Sequence, residues 1–400
     1  MSITANFSWR SQSSQSYGVP AIILLALFIA TNYTYSYSNA VVLGFSDVID
    51  YVRIATTHRE FDFYQLSQTI PVHRLERWPI HYLLGRFANA SGIDIWNVYR
   101  SSVIICMLLV FLMIGRLNCK PAQKLAFFAL VLLSPYAFRQ YYAVPGMLSD
   151  CIFYTSIVGM SVGFSKRHLG WIGLSLLAAC LARQTGAILI VVVALYCWVQ
   201  GLKRIPSALV LVMGVSAFLS IRVFTELTFA PASNEYIAKH ILGIYYWLIG
   251  LPQFGGGPRW SDLFQFLGRY CLMLLSISPL LILVYRLQDR KMWMYVLFFF
   301  MLQSQPLMGG PFISGSNVDR LAIYGLPFLA ILLLNDDWEK HDLKIFMGLL
   351  FLESLLPQFS IFHGIPAGSY LFLAAVLVTS LISIKQWRSQ RISHGMPSII

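Results

Sequence analysis

Apolar runs of near twenty residues recur along this chain, parted by short polar connections, and this pattern limits the possible folds more than any motif does. A run of about 20 apolar residues makes a helix about 30 Å long, which is the depth of a bilayer's hydrocarbon core. Such runs fall near 18–38, 97–116, 121–138, 144–164, 168–181, 186–201, 206–224, 263–285, 292–308, 321–335, 344–360 and 368–385. They predict an all-α protein, a polytopic transmembrane helical bundle of about 12 spans. Charged residues make up 12% of the chain and hydrophobic ones 57%. A soluble domain carries about twice that charge density, so residues 1–400 read as one integral-membrane domain. The first run follows a Ser-rich start, and 36–40 makes a poor cleavage site, so the expectation is a retained first helix rather than a signal peptide.

Charge sorts the connections into two sets. Lys120, Lys124, Lys166, Lys203, Lys291, Lys340, Lys344 and Lys385 fall in alternate short loops, which the positive-inside rule places in the cytoplasm together with both termini. The opposite side, outer or periplasmic, holds only Lys239 among the lysines. It nevertheless retains twelve arginines: Arg53, Arg59, Arg74, Arg77, Arg86, Arg100, Arg139, Arg183, Arg222, Arg259, Arg269 and Arg320. Topology bias alone would remove both residue types. Guanidinium forks bind phosphate and carboxylate at two points, which lysine cannot do, so the outer face reads as anion-handling, although structural Arg–carboxylate pairs would leave the same trace. The net charge of +12 is scattered over many loops rather than gathered in a stripe, which argues against nucleic acid as a partner and for membrane lipids and phosphate-bearing substrates. The six cysteines show no paired or metal-ligand spacing.

Two long outer segments, the first and fourth outer loops, carry apolar residues at helical spacing and predict interfacial helices. In the first, Gly44-Phe45-Ser46-Asp47-Val48-Ile49-Asp50-Tyr51 sets Asp47 and Asp50 three residues apart, on one helical face at the mouth of a membrane segment. There a carboxylate can take a proton from a hydroxyl nucleophile or hold a divalent metal ion, and spacing does not choose between these roles; a solvated amphipathic turn is the bland alternative. Arg183, in Ala182-Arg183-Gln184-Thr185-Gly186, either meets a lipid phosphate or snorkels to the headgroups. The same choice applies to Arg139, which faces Asp150 across a Pro-Gly turn. Asp319 and Arg320 open the run near 321–335, where a helix start would offer an anion seat and where Gly325 and Pro327 break the span. Glu353 is a lone acid inside the eleventh run.

These stretches together resemble the GT-C class of integral-membrane glycosyltransferases. Asp47 with Tyr51 looks like the acidic motif of that class's first outer loop. Leu181-Ala182-Arg183-Gln184-Thr185-Gly186 is similar to the Arg-Glu-Thr-Gly turn of bacterial members, and Asn317-Val318-Asp319-Arg320-Leu321 with Tyr324 and Pro327 is similar to the late Arg-Tyr-x-x-Pro region. Gln184 departs from the pattern, standing where an acid is common, and no soluble domain follows the last run, as expected of a compact member. The resemblance implies transfer of a sugar from a polyprenyl-phosphate donor to a glycan, lipid or protein acceptor on the outer side of a membrane, most simply the bacterial inner membrane. It implies Asp47 as general base or metal-proximal carboxylate with Asp50 its neighbour, Arg183, Arg320 and Arg139 at the donor phosphate, and Tyr51 and Asp319 as substrate contacts. An O-antigen polymerase or ligase would instead favour Arg and His in the late loop. A flippase would place ionisable residues near the membrane midplane.

Overall fold

The computed structural model describes residues 17–42, 46–57, 66, 69–134, 136–229, 243, 245, 248, 260–277, 280, 292–313 and 318–334. The expected last two spans and Glu353 lie outside the described residues, as does most of the helix expected in the fourth outer loop.

Every regular element among the described residues is helical. After α1 (Gly18–Thr31) come α2 (Tyr37–Val42), α3 (Ser46–Thr56), α4 (Val72–Leu75) and α5 (Trp78–Ser91), in the segment expected to form the first outer loop. The run continues with α6 (Ile95–Gly115), α7 (Pro121–Leu133), α8 (Phe138–Ala143), α9 (Leu148–Lys166), α10 (Leu169–Ala182), α11 (Gly186–Val199) and α12 (Arg204–Phe229). Further on lie α13 (Trp260–Ser276), α14 (Trp293–Ile313), α15 (Val318–Ala322) and α16 (Leu326–Ala330). Three of these helices, Ile95–Gly115, Leu148–Lys166 and Arg204–Leu227, are long and apolar enough to cross a membrane, and α1, α7, α10 and α11 are shorter apolar helices. α6 and α12 turn Ile105, Leu108, Leu109, Leu112, Leu209, Val212 and Leu219 outward, a surface suited to lipid rather than water.

α9 is the axis of the bundle, since nearly all of its residues are buried. Its Gly159 and Gly163 stand four apart on one face. A Cβ at Gly159 would lie 2.5 Å from Ser175 Oγ, and one at Gly163 2.8 Å from Ile172. Small residues thus let α10 lie directly against α9. The consequence for the site is geometric. From Asp150, α9 climbs about 24 Å to Lys166, and α10 descends about 21 Å to Arg183 at 1.5 Å per residue. The antiparallel return brings Arg183 back to the level of Asp150. Near the far end of α9, Phe164 stacks on Tyr196 of α11 (4.0 Å, 18°) and on Phe328 of α16 (5.7 Å, 17°), which ties the late chain to the same axis.

The region expected as a tenth span is not one continuous helix. α15 gives way to a 3-10 turn at Ile323–Gly325, then α16, then a second 3-10 turn at Ile331–Leu334, all of it buried apart from Leu334. Gly325 explains the break, since a Cβ there would lie 2.7–2.9 Å from Phe299, backbone included, and Pro327 removes an amide donor. α14 is also bent, with Gly310 at φ 59° between Pro306 and Pro311, a conformation that glycine adopts without steric cost.

Candidate functional site

Four segments far apart in sequence meet where α9 begins. α3 presents Asp47, Asp50 and Tyr51. Its hydrophobic face seats against α5, where Gly85 is required because a Cβ would meet Ala55 O at 1.8 Å. The chain between α3 and α5 then supplies Arg74, on α4, and Arg77, at the residue before α5. Asp150 lies in the first turn of α9, Arg183 in the turn between α10 and α11, and Arg320 on α15.

Asp150, with a side chain 3% exposed, is the centre. Its Oδ1 takes Arg183 Nη1 in close contact and lies 3.6 Å from Arg77 Nη1, while Oδ2 lies 3.3 Å from Arg320 Nη1. Arg183 Nη1 also donates to the Tyr324 hydroxyl at 2.5 Å, and its guanidinium lies over that ring. Arg77 Nη1 donates to the Tyr51 hydroxyl. At the outer edge Arg74 spans both acids of α3, Nη2 to Asp47 Oδ1 at 2.6 Å and Nη1 to Asp50 Oδ2 at 2.5 Å. Arg320 Nη2 reaches the other oxygen of Asp47 at 3.4 Å. Arg74, Arg77, Arg183 and Arg320 therefore face Asp47, Asp50 and Asp150, with Arg53 at the rim 4.0 Å from Asp50 and Glu76 within electrostatic reach of Arg77. The Nε atoms of Arg77, Arg183 and Arg320 are buried with no hydrogen-bond acceptor among the described residues. Buried donors are ordinarily satisfied, so an oxygen-rich anion is the natural complement of this cluster.

Electrostatics follow from the geometry. Burial pushes the Asp47 carboxyl up, but Arg320, Arg74 and Arg77 more than offset this and hold it at about 2. Burial lowers the Arg183 guanidinium to about 10, with Arg77 adding repulsion, so it is still charged at neutral pH. For Arg320 burial also lowers, yet the Asp47 charge outweighs it and the net direction is upward. Asp319 takes different partners from the other three acids. Its Oδ2 lies 3.8 Å from Arg269 Nη1 and its Oδ1 accepts the Arg320 amide at 2.8 Å, while burial raises its carboxyl to about 6.

A second layer fixes the first. The His81 ring stacks on Tyr51 (4.2 Å, 3°), its Nδ1 pairs with the Tyr99 hydroxyl at 2.9 Å and its Nε2 with Ser149 Oγ at 2.9 Å. The Tyr99 hydroxyl in turn donates to the Tyr51 carbonyl at 3.3 Å. Burial, and then Arg77, lower the imidazole to about 3, so it is neutral at physiological pH. On the other flank Gln184 Nε2 donates to the His73 carbonyl at 2.7 Å, and Thr185 Oγ1 to Gln305 of α14 at 2.6 Å.

The structure thus brings together Asp47, Asp50, Tyr51, Arg183 and Arg320 of the residues selected from sequence. Arg139 is buried on α8, but Asp150 takes its ion pairs from Arg77, Arg183 and Arg320 instead. Asp319 supports Arg320 and Arg269 rather than facing the three acids. Arg74, Arg77 and Asp150 were not selected as site residues. Their signals were present: two arginines at a helical spacing of three, and an acid at the head of an apolar run. Among the described residues no group of three His, Cys, Asp or Glu side chains is placed to hold a metal ion.

Comparison with known protein families, with characterised proteins and with solved structures finds no match to this chain.

Proposed function

We propose that the protein is a membrane glycosyltransferase of the GT-C type, which moves a sugar from a polyprenyl-phosphate donor to a hydroxyl acceptor at the outer end of a multi-span bundle. One observation carries this reading. Three buried arginines from separate segments, each with an unaccepted Nε–H, converge on Asp150, and one of them, Arg320, also reaches Asp47, a partly exposed carboxylate.

In this mechanism the acceptor oxygen attacks the anomeric carbon and the bond to the phosphate oxygen breaks. The bonding pair leaves on polyprenyl phosphate, and the acceptor's proton passes to Asp47. Arg183 is the fixed arm of the anion site, anchored by Asp150 and Tyr324. Arg320 is the transferable arm. It lies 3.4 Å from Asp47 and 3.3 Å from Asp150, longer than a charge-assisted bond of about 2.7–2.9 Å. A phosphate that draws Arg320 toward itself weakens the pull on Asp47 and raises its proton affinity when the acceptor needs a base. Charge growing on the leaving phosphate is met by preorganised guanidiniums in a site screened from water.

The test is sugar transfer by the purified protein in lipid, offered radiolabelled polyprenyl-phosphate sugars and envelope acceptors, with Asp47→Asn alongside. The expected result is transfer by the parent and at least a hundredfold less by the variant, since removal of a general base typically costs about 10²–10⁴ in rate. Labelled lipid crossing the bilayer without transfer would replace this reading with a flippase.

A further inference from the structure

Just inside the arginine cluster lies a polar feature that phosphate binding leaves unused. α8 is buried along its whole length. Its Tyr141 and the Tyr154 of α9 are each 0% exposed, with ring centroids 6.0 Å apart at 60°. Phe138 braces both rings edge-on, at 6.1 and 5.6 Å. Tyr154 follows Asp150 by four residues and so shares its helical face, about 6 Å further along the axis. Tyr141 lies within electrostatic reach of Arg320 and Tyr324. Tyr141 therefore lies beside the cluster, and Tyr154 packs against Tyr141 one helical turn beyond Asp150.

Neither hydroxyl has a hydrogen-bond partner among the described residues, and neither does Oε1 of the adjacent Gln140. Four other buried tyrosines have partners: Tyr51 in Arg77, Tyr99 in the Tyr51 carbonyl, Tyr196 in the Phe164 carbonyl and Tyr324 in Arg183. A buried hydroxyl without a partner is costly, and phenylalanine would fill the same space without that cost. The pair is neutral and each member both donates and accepts, which does not suit a second phosphate or a carboxylate. It does suit a polyol.

We infer that Tyr141 and Tyr154 form the floor of a sugar subsite, in which their hydroxyls exchange hydrogen bonds with ring hydroxyls of a sugar whose phosphate is held by Arg183 and Arg320. This rests on the donor reading above and extends it, because it assigns the sugar half of the donor to residues on α8 and α9.

The experiment uses the full chain in lipid nanodiscs, with Tyr141→Phe, Tyr154→Phe and the double variant. Thermal midpoints are measured without ligand, with sugar-free polyprenyl phosphate and with polyprenyl-phosphate glucose, mannose, galactose and arabinose. Transfer kinetics are measured with any donor that the parent uses. Without ligand the variants should match or exceed the parent's midpoint, because they lose only unpaired hydroxyls. The shift caused by sugar-free polyprenyl phosphate should equal the parent's. The shift caused by the preferred sugar-bearing lipid should shrink, and kcat/KM for it should fall about three- to tenfold per hydroxyl. A sugar-dependent shift equal to the parent's would overturn the subsite. So would ligand-free midpoints several degrees lower, which would mark the hydroxyls as structural. A parent that responds to no polyprenyl phosphate, with or without sugar, would overturn the donor reading itself, a failure visible before any variant is compared.

Discussion

Asp150→Asn tests the centre of the site most directly. The substitution keeps volume and one carbonyl acceptor but removes the charge around which Arg77, Arg183 and Arg320 gather. At the 3.3 and 3.6 Å separations of Arg320 and Arg77, each attraction is about 5 kcal/mol at an effective dielectric of about 20. Desolvating the carboxylate opposes this, and removal of one partner from a buried ion cluster typically costs about 3–5 kcal/mol net. For a chain of this length that corresponds to a thermal midpoint lower by about 3–10 °C, taking about 1–2 °C per kcal/mol. The assay is thermal unfolding in nanodiscs near neutral pH, with and without pyrophosphate. An anion at a hundred times its Kd stabilises by about 2.7 kcal/mol. In the variant it also replaces a missing counter-charge, so the rise in midpoint should be larger than in the parent. A variant within 1 °C of the parent, with no greater response to pyrophosphate, would refute the view that Asp150 is the counter-charge that assembles these arginines.

Arg183→Lys keeps the charge but loses the fork that reaches Asp150 and Tyr324 together; the donor KM should rise about tenfold, and an unchanged KM would return Arg183 to a snorkelling role. Gly85→Ala places a methyl group against the Ala55 carbonyl, so α3 and α5 must separate at a cost of about 1–3 kcal/mol; since α3 carries Asp47 and Tyr51, activity should fall along with the midpoint, and wild-type values for both would contradict the close approach. His81 is held neutral, its imidazole lowered from 6.5 to about 3, so its contribution is complete above pH 6.5 and is lost as pH falls toward 3, on the order of 5 kcal/mol in full. His81→Gln keeps the hydrogen-bonding capacity without titrating, and its midpoint should depend less on pH between 6.5 and 5 than the parent's; parallel curves would show that the ring does not resist protonation.

Helical class and much of the placement of helices were legible from the sequence alone, because apolar runs of bilayer length have one low-energy backbone solution when water is absent. The acids of α3 and the arginines at 183 and 320 were legible for a similar reason: charge beside an apolar run is expensive, and its presence marks a use. The break after α15 was also legible, since Gly325 and Pro327 act locally.

What only the tertiary structure decided is which charges meet. Asp150 looked like a partner for nearby Arg139, yet it pairs with Arg77, Arg183 and Arg320, at separations of 73, 33 and 170 residues. No local rule fixes such pairings. They follow from how closely α10 lies on α9, which Gly159 and Gly163 permit, and from the seating of α3 on α5, which Gly85 permits. Likewise the hydroxyls of Tyr141 and Tyr154 are ordinary in sequence. They acquire meaning only once burial separates them from water and leaves them facing no partner. A sequence records the residue types that chemistry requires, whereas long-range packing decides which of them share a site.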